Sequence, residues 1–319
     1  MLKELAKAVG RKIAGDNIIL RNVAGDYFRD GKYLRAALLM LYAMPIRNIL
    51  KVHEYVKRYD FITSPEYYNE LQELLHVGKA VGFGLVRVGR DNDGGYVMLD
   101  DFGGGIAYSF GIAGDVSWDK DMASRGYDVY MYDHTIDGLP EDNPRFHWSK
   151  LGIGDGSGND DRLKSLEELI ASNGHEGKHN MILKMDVEGA EWGFLEAVKP
   201  ETLVQFGQVV FELHNMTNPA SHERVLNALR KINMTHQLVH LHANNFGKYI
   251  AAGGKTFADV LEASYILRDG HNFCAGYDVS FPLGIDMPNA SNLPEIELGR
   301  WNVKSEIDGH FSLTTWQYI

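Results

Sequence analysis

The chain has 319 residues, 45% of them apolar, and a formal net charge of −11 at pH 7. The apolar fraction is ample for a buried core, and the length fits one large domain or one domain with appendages. The negative charge argues against a nucleic-acid backbone as partner of the bulk surface. Because Cys274 is the only cysteine, internal disulfides are excluded and a reducing, cytoplasmic setting is expected. We expect its side chain to be packed rather than reactive.

Residues 1 to 80 are predicted to form a helical N-terminal region. Leu34, Leu38 and Leu41 recur at helical spacing, and the Ser-Pro-Glu sequence at 64–66 is typical of a helix start. The apolar stretch 36–46 is shorter than the roughly 20 residues of a membrane-spanning helix, which favours a buried helix. Peripheral membrane contact is the alternative, and a homodimer through this region is a further hypothesis. The basic residues that motivate a membrane contact are Arg35, Arg47, Lys51, Lys57 and Arg58.

From residue 85 the pattern changes to alternating strands and helices. Strands are predicted at 85–88, 96–99, 106–111, 128–132, 146–150, 180–186, 207–213 and 236–242, and helices at 115–125, 162–173, 190–198 and 221–232. This alternation predicts an α/β fold with a parallel sheet covered on both faces and ligands along one edge. A further strand at 263–267 has no helix before it and is predicted to lie antiparallel at or near the sheet edge. Residues 271–319 are predicted to form an irregular lobe.

A glycine turn and an acidic strand end indicate a cofactor site. Glycine permits close approach of the backbone to a ligand, and an acid at the end of the following strand suits ribose hydroxyls. Asp115 is also a candidate helix N-cap, and the loop 151–155 is small enough to admit an adenine ring. The alternatives are that the glycine turn serves packing alone and that Asp133 is a solvated loop residue. The candidate cofactor-binding residues are Gly111, Gly114, Asp115, Asp133, His134, Gly152 and Asp155.

The glycine spacing decides between two kinds of cofactor. The pattern is G-x-x-G, without the third spaced glycine of a dinucleotide site. A pyrophosphate needs close backbone approach at a helix N-terminus, whereas a cofactor without phosphate needs less. S-adenosylmethionine is such a cofactor.

Acids and histidines at the ends of later strands are candidates for the catalytic part of the site. Strand-end histidines beside carboxylates suit general-base work, or a divalent metal with nitrogen and oxygen ligands. Glu191 opens the next helix, where complementing the helix dipole is the structural alternative. The candidate catalytic residues are Asp186, Glu188, His214 and His240, and the candidate metal ligands are Asp186, Glu212 and His214.

The run Leu183-Lys-Met-Asp-Val-Glu-Gly-Ala-Glu-Trp192 resembles the most recognisable motif of the FkbM-like group of S-adenosylmethionine-dependent methyltransferases. Ser109 to Asp115, Tyr132-Asp133 and Arg87 to Tyr96 support the resemblance, which covers residues 85–270. It implies a Rossmann-like methyltransferase sheet of seven strands with the last antiparallel. It further implies that Gly111 and Gly114 line the methionine end, that Asp133 holds the ribose, and that Asp186 borders the methyl group and acceptor.

The resemblance implies methylation of hydroxyls on sugars, including surface polysaccharides and natural-product precursors. The corresponding domain plan is a helical region at 1–80, a methyltransferase domain at 81–270 and an irregular lobe at 271–319. In the mechanistic hypothesis, His214 or Asp186 takes the hydroxyl proton while His240 and Glu188 orient the acceptor. A nucleotide-dependent oxidoreductase on a similar sheet and a non-catalytic, membrane-associated adaptor are the alternatives.

Overall fold

The computed structural model describes residues 65–158, 160–252, 255–303 and 311–312. The predictions about residues 1–64, including the apolar stretch, its basic flanks and the dimer contact, lie outside the described residues. Helix α1, Pro65–Leu74, begins at the proline that was predicted to start a helix. Proline is tolerated there because an N–H at this position would have no partner within the helix. Within the described ranges, no helix is both long and apolar enough to cross a membrane.

Strands and short helices alternate along the described chain. The remaining helices are α2 Ser117–Ser124, α3 Leu166–Ser172, α4 Glu191–Ala197, α5 Pro200–Leu203 and α6 His222–Asn233, with a 3₁₀ turn at Pro219–Ser221. The strands are β1 Leu85–Val88, β2 Tyr96–Leu99, β3 Gly105–Phe110, β4 Tyr127–Tyr132, β5 Phe146–Ser149, β6 Gly152–Ile153, β7 Leu163–Lys164, β8 Met181–Met185, β9 Phe206–Leu213, β10 His236–Ala243, β11 Tyr249–Ala252, β12 Lys255–Ala258, β13 Leu261–Leu267, β14 Ser280–Phe281, β15 Gly299–Arg300 and β16 Phe311–Ser312.

A central sheet of seven strands has the order β10-β13-β9-β8-β3-β4-β5. The strands from β9 to β5 pair in parallel, and β13 pairs antiparallel with both β9 and β10. A hairpin of β11 and β12, rather than a crossover helix, joins β10 to β13, which suits an antiparallel neighbour. The predicted mostly parallel α/β sheet is confirmed, and it is consistent with a Rossmann-like methyltransferase fold.

Apolar layers cover both faces of this sheet. Along β3, Tyr108 and Phe110 belong to one buried cluster and Ala107 belongs to the other, as the two-residue period of a strand requires. Helix α2 packs on the Ala107 side through Trp118 and Met122. Each fully buried large apolar side chain contributes roughly 1.5–3 kcal/mol. Helix α6 packs on the opposite side through a buried stripe of Val225, Ala228, Leu229 and Ile232.

The helix predicted at 162–173 begins later than expected. Leu163–Lys164 forms the short strand β7, which pairs in parallel with β6. Ser165 then caps α3, because its side chain accepts a hydrogen bond from the Glu168 backbone nitrogen at 3.3 Å. The Glu168 carboxylate in turn accepts one from the Ser165 nitrogen at 2.7 Å. This reciprocal capping box fixes the helix start at Leu166.

Residues 271–303 are largely irregular, as predicted, with two-residue strands at β14 and β15. They are tied to the core through Trp301, which is fully buried and donates from Nε1 to the Leu75 carbonyl at 2.8 Å. The expectation that Cys274 is packed is wrong, because this residue is exposed. The division of the chain into three regions at 80 and 270 stays a prediction.

Candidate active site

A cleft of about 660 Å³ opens at the carboxyl edge of the sheet. This volume lies in the range of roughly 300–1,000 Å³ that small-molecule sites occupy. Asp133 and Asp186 line the same cleft, so the two motifs found in the sequence meet at one place. The predicted site residues in its walls are Gly111, Gly114, Asp115, Asp133, His134, Gly152, Asp186 and Glu188.

Gly111 sits where β3, β4 and β8 converge. Its nitrogen donates to the Tyr132 carbonyl at 3.1 Å, and its φ is +76°. A Cβ built on this residue would lie 1.6 Å from the carbonyl oxygen of Asp186. Only glycine meets both demands, a left-handed backbone and close approach of the next strand end. Packing against Asp186 therefore requires glycine at the first position of the predicted turn.

Asp133 holds the glycine turn in place. Its Oδ2 accepts from the nitrogens of Ile112 and Ala113 at 3.0 and 2.9 Å. Its Oδ1 accepts from the nitrogen and hydroxyl of Thr135 at 2.8 and 2.6 Å. Burial by itself would raise the pKa of Asp133, but these hydrogen bonds outweigh burial and lower it. The four bonds use the roughly four acceptor positions of a carboxylate, so a ribose would have to replace one of them.

The neighbouring acid Asp115 lines the cleft but does not cap α2 in the predicted way. The N-cap position belongs to Val116. Asp115 instead accepts from the nitrogen and hydroxyl of Ser117 at 2.9 and 2.6 Å, and it pairs with Arg90 at 2.8 Å.

Of the two residues predicted in loop 151–155, only Gly152 reaches the cleft. A Cβ on Gly152 would lie 2.5 Å from Nδ1 of His134, so the two predicted residues are neighbours. Asp155 is not among the cleft-lining residues; it is exposed, and it accepts from the Ser157 nitrogen at 2.9 Å. The pairing of β6 with β7 turns the chain away from the cleft before Asp155, so the structure does not bring this residue to the other predicted ones.

Three side chains at the ends of β8 and β9 form a candidate metal site. Asp186, Glu212 and His214 each offer one ligand atom, and these atoms all lie within 4.8 Å of one another. Tyr96 donates to Asp186 at 3.1 Å and to Glu212 at 3.4 Å. Asn244 donates to the other oxygen of Glu212 at 2.8 Å. The structure thus brings together the same three residues that the sequence predicted as ligands.

Burial and crowded negative charge set the protonation of this cluster. Burial raises the pKa of Glu212 well above its ordinary value, and the negative charges of Asp186 and Glu262 raise it further. For His214, burial by itself would lower the pKa. The nearby carboxylates, Glu191 first, outweigh burial and raise that pKa to about 9. His214 is therefore held as the imidazolium at neutral pH.

Glu191 is a positioning residue for His214. Its side chain is fully buried, and one oxygen accepts from the nitrogens of Val187 and Gly189 at 3.0 and 3.3 Å. The same oxygen lies 3.1 Å from Nδ1 of His214. Glu188 lies on the other side, 3.4 Å from Nε2 of His214, with its own side chain largely exposed. Glu191 thus closes the turn after β8, and Glu188 and Glu191 contact the His214 ring from two sides.

His240 is not where the sequence hypothesis needs it. It does not line the cleft; its Nε2 lies 3.0 Å from Asp286, and its ring packs edge-on against Phe281. The reason is topological, because β13 is inserted between β9 and β10 and moves the end of β10 away from the cleft. The structure thus places His240 outside the wall of this cleft, and its role in orienting an acceptor stays a prediction.

Two buried charged residues in the cleft wall were not predicted. Lys184 donates from Nζ to the Gly111 carbonyl at 2.7 Å, and Asp119 lies in the first turn of α2. Strand alternation offered a signal for Lys184, since it precedes Asp186 by two residues and shares its face. Asp119 carried no such signal, because an acid in a first helical turn ordinarily complements the helix dipole.

No family model matches the sequence, and no curated protein matches it significantly. A provisionally described hemolysin from Streptococcus thermophilus is similar in structure, with 14% identity and a TM-score of 0.30 over 51% of this chain and 59% of that chain. A provisionally described DNA modification methyltransferase from an E. coli prophage gives 12% identity and a TM-score of 0.34 over 52% of this chain and 47% of that chain. The chain therefore spans about half the length of these structures. The resemblance to the FkbM-like group rests on the sequence motif alone.

Proposed function

We propose that this protein is an S-adenosylmethionine-dependent methyltransferase that acts on a hydroxyl of a sugar or glycan acceptor. The observation that carries the proposal is a cleft whose walls include both the glycine turn at Gly111 and the strand end at Asp186. Ligands of open α/β sheets bind outside the carboxyl ends of the strands.

The donor groups around the glycine turn fit an adenosyl ligand better than a dinucleotide. The nitrogens of Ile112 and Ala113 donate to Asp133, so the backbone donors that a pyrophosphate would use are engaged by a carboxylate. That carboxylate would also repel a pyrophosphate. An adenosyl ligand without a phosphate has no such charge requirement. This observation weighs against the oxidoreductase alternative.

S-adenosylmethionine, when bound, supplies an electrophilic methyl group. The task left to the chain is to orient a hydroxyl and accept its proton. Asp186 suits this task because it lines the cleft, is partly exposed and is held by Tyr96. His214 does not suit it, since its pKa of about 9 keeps it protonated at neutral pH. We therefore assign Asp186 as the base, with His214 as its neighbouring positive charge.

Binding of a divalent cation is a second way to activate the acceptor hydroxyl. The nitrogen and oxygen donors of Asp186, Glu212 and His214 suit such an ion. The buried Glu212, whose pKa is raised by burial and by neighbouring carboxylates, is a group that a cation would stabilise in its charged form. A bound cation would supply Lewis-acid polarisation of the acceptor oxygen.

The carboxylates of the cleft wall support the proposed acceptor class. Asp93, Asp186 and Glu188 line it, and carboxylates accept hydrogen bonds from hydroxyls but repel acidic groups. A neutral polyol such as a sugar fits this wall better than a phosphorylated or carboxylated acceptor.

A thermal-shift experiment with S-adenosylhomocysteine and NAD, added separately, tests the donor assignment. We expect S-adenosylhomocysteine alone to raise the melting temperature, because a ligand that binds only the folded state stabilises it. Stabilisation by NAD alone would replace this proposal with the oxidoreductase. Binding of neither, with retention on anionic vesicles, would favour the adaptor. Transfer of labelled methyl groups to neutral and acidic sugars then tests the acceptor class.

A further inference from the structure

We infer that Asp93 binds a hydroxyl of the acceptor other than the one that is methylated, and that Asn289 of the C-terminal lobe, residues 271–303, positions the Asp93 carboxylate. The inference rests on the proposed function and deepens it, because it names a residue that selects the acceptor. It also gives the irregular lobe a part in the site.

Asp93 has free acceptor capacity in the cleft wall. The residue lines the cleft and is half-buried, and its Oδ1 accepts a hydrogen bond from Nδ2 of Asn289 at 3.3 Å. Within the part of the chain that the structure describes, no side chain or backbone nitrogen donates a hydrogen bond to its Oδ2. Each oxygen of a carboxylate can accept about two hydrogen bonds. A hydroxyl is the donor that a sugar brings to such an oxygen.

The loop that carries Asp93 has a fixed shape. Arg87 donates from Nε to the Arg90 carbonyl at 2.8 Å and from Nη2 to the Asn92 carbonyl at 2.9 Å. A Cβ on Gly95 would lie 1.9 Å from the same Arg90 carbonyl oxygen, so this turn requires glycine. Asp93 is therefore preorganised in the cleft wall, which reduces the entropy lost when a ligand binds.

Asn289 connects this loop to the interior of the sheet. It is 4% exposed, and its Nδ2 donates to Asp93 and, at 2.6 Å, to Glu262 on β13. An amide nitrogen has two hydrogens, so these two carboxylates use its full donor capacity. The Asn289 carbonyl also accepts from the Asp93 nitrogen at 3.3 Å. One residue of the C-terminal lobe thus holds both the backbone and the side chain of Asp93.

The lobe segment 286–295 is fastened to the end of β10. Nε2 of His240 lies 3.0 Å from Asp286, and Nε2 of His242 lies 3.2 Å from Glu295. Both histidines are buried. Ion pairs of this kind hold the segment that carries the positioning amide against the sheet.

The charges around Asp93 favour a neutral hydroxyl over an acidic group. Burial raises the pKa of Asp93, the Asn289 amide lowers it, and the negative charges of Asp186 and Glu262 raise it. The negative charge of Asp186 therefore reaches Asp93, and both residues line the same cleft. An acceptor with two hydroxyls would place the reacting one at Asp186 and the second one at Asp93.

Acceptor kinetics test this assignment, with a neutral sugar that the wild-type protein methylates in the transfer assay above. We expect Asp93→Asn to raise the KM for this sugar by about tenfold, the effect of one hydrogen bond to a charged group. Its kcat and its affinity for S-adenosylhomocysteine should change less than about twofold, because the contact is lost equally from bound substrate and transition state. An unchanged KM would overturn the inference. A comparable loss of S-adenosylhomocysteine affinity would also overturn it, by placing Asp93 beside the donor.

A double-mutant cycle tests the positioning role of Asn289. Asn289→Ala should raise the same KM by about threefold or more, the effect of one lost hydrogen bond. Combined with Asp93→Asn it should add nothing further, because residues that act through one contact are not additive. Additive effects would overturn the positioning role.

Two variants of the same loop are matched controls. Asn92 also links the loop to the lobe, by donating to the Pro288 carbonyl at 2.8 Å, but it does not line the cleft. Asp91 is exposed and does not line the cleft either. Asn92→Ala and Asp91→Asn should leave the acceptor KM unchanged, and a rise equal to that of Asp93→Asn would overturn the inference.

Monodeoxy analogues of the same sugar supply a test that needs no variant to fold. The wild-type protein should lose about tenfold in kcat/KM when one hydroxyl other than the methylated one is removed. Equal kcat/KM with every such analogue would overturn the inference and leave methyl transfer standing. A wild-type protein that methylates no neutral sugar would overturn the proposed function as well.

Discussion

Replacing Gly111 by alanine should damage both stability and ligand binding. The residue has a φ of +76°, which costs an L-residue roughly 1–2 kcal/mol. The added Cβ would lie 1.6 Å from the Asp186 carbonyl, and relieving such overpacking typically costs about 1–3 kcal/mol. Together we expect a loss of about 2–5 kcal/mol, a large part of the roughly 5–15 kcal/mol by which domains are stable.

Gly126 offers a control for the backbone term alone. Its φ is +93°, but a Cβ there would meet nothing within 4 Å. Gly126→Ala should therefore lose only the left-handed cost of roughly 1–2 kcal/mol. Urea unfolding of the two variants and the wild type measures the difference, which isolates the clash with Asp186. The reasoning is refuted if the two variants are equally stable.

Gly114 separates stability from binding. A Cβ there also meets nothing within 4 Å, and its φ is not positive, yet the residue lines the cleft. Gly114→Ala should fold with nearly wild-type stability. If the cleft is the donor site, titration should show weaker binding of S-adenosylhomocysteine. Unchanged affinity in both Gly111→Ala and Gly114→Ala would place the donor elsewhere.

Asp186→Asn should abolish methyl transfer with little change in S-adenosylhomocysteine affinity, whereas residual turnover above one tenth would remove Asp186 as the base. Mn²⁺ at 100 times its dissociation constant should raise the unfolding free energy by about 2.7 kcal/mol, and Glu212→Gln should remove that gain; equal gains in both proteins would place the ion elsewhere. Burial lowers the pKa of His236 from 6.5 to about 4, so the unfolded chain takes up the proton first as the pH falls. Stability should drop by about 2 kcal/mol between pH 7 and pH 5, and His236→Asn should show a shallower fall in urea unfolding; an unchanged slope would contradict this assignment.

Most of the central sheet could be predicted from local patterns. The strands of the central sheet and helices α2, α4 and α6 lie within a few residues of their predicted positions, because each carries its own apolar periodicity and its own turn residues. The short elements β6, β7 and α5 were not predicted. The antiparallel course of β13 could also be predicted, since no helical pattern lies between it and β10 and a parallel neighbour would need a crossover connection. The start of α3 was missed because the pairing of β6 with β7 is a contact between segments separated by a loop.

Local patterns likewise placed only some residues of the candidate site. Gly111, Asp133 and Asp186 could be placed together, because parallel strands bring their carboxyl ends to one edge. His240 and Asp155 could not be judged, since their positions depend on strand order and on a loop pairing. The protonation of His214 also lay beyond the sequence, because it depends on the buried side chain of Glu191, which only the folded chain brings within 3.1 Å.

By itself, the sequence determined the alternating elements, the glycine turn and the acids that end the strands, because these follow from local backbone preference and the periods of strand and helix. The tertiary structure alone decided which of those groups lie close together, how deeply Asp119 and Lys184 are buried, and which carboxylates surround His214. Those properties depend on distances between segments far apart in the chain, and on the loss of water around them, which no local pattern records.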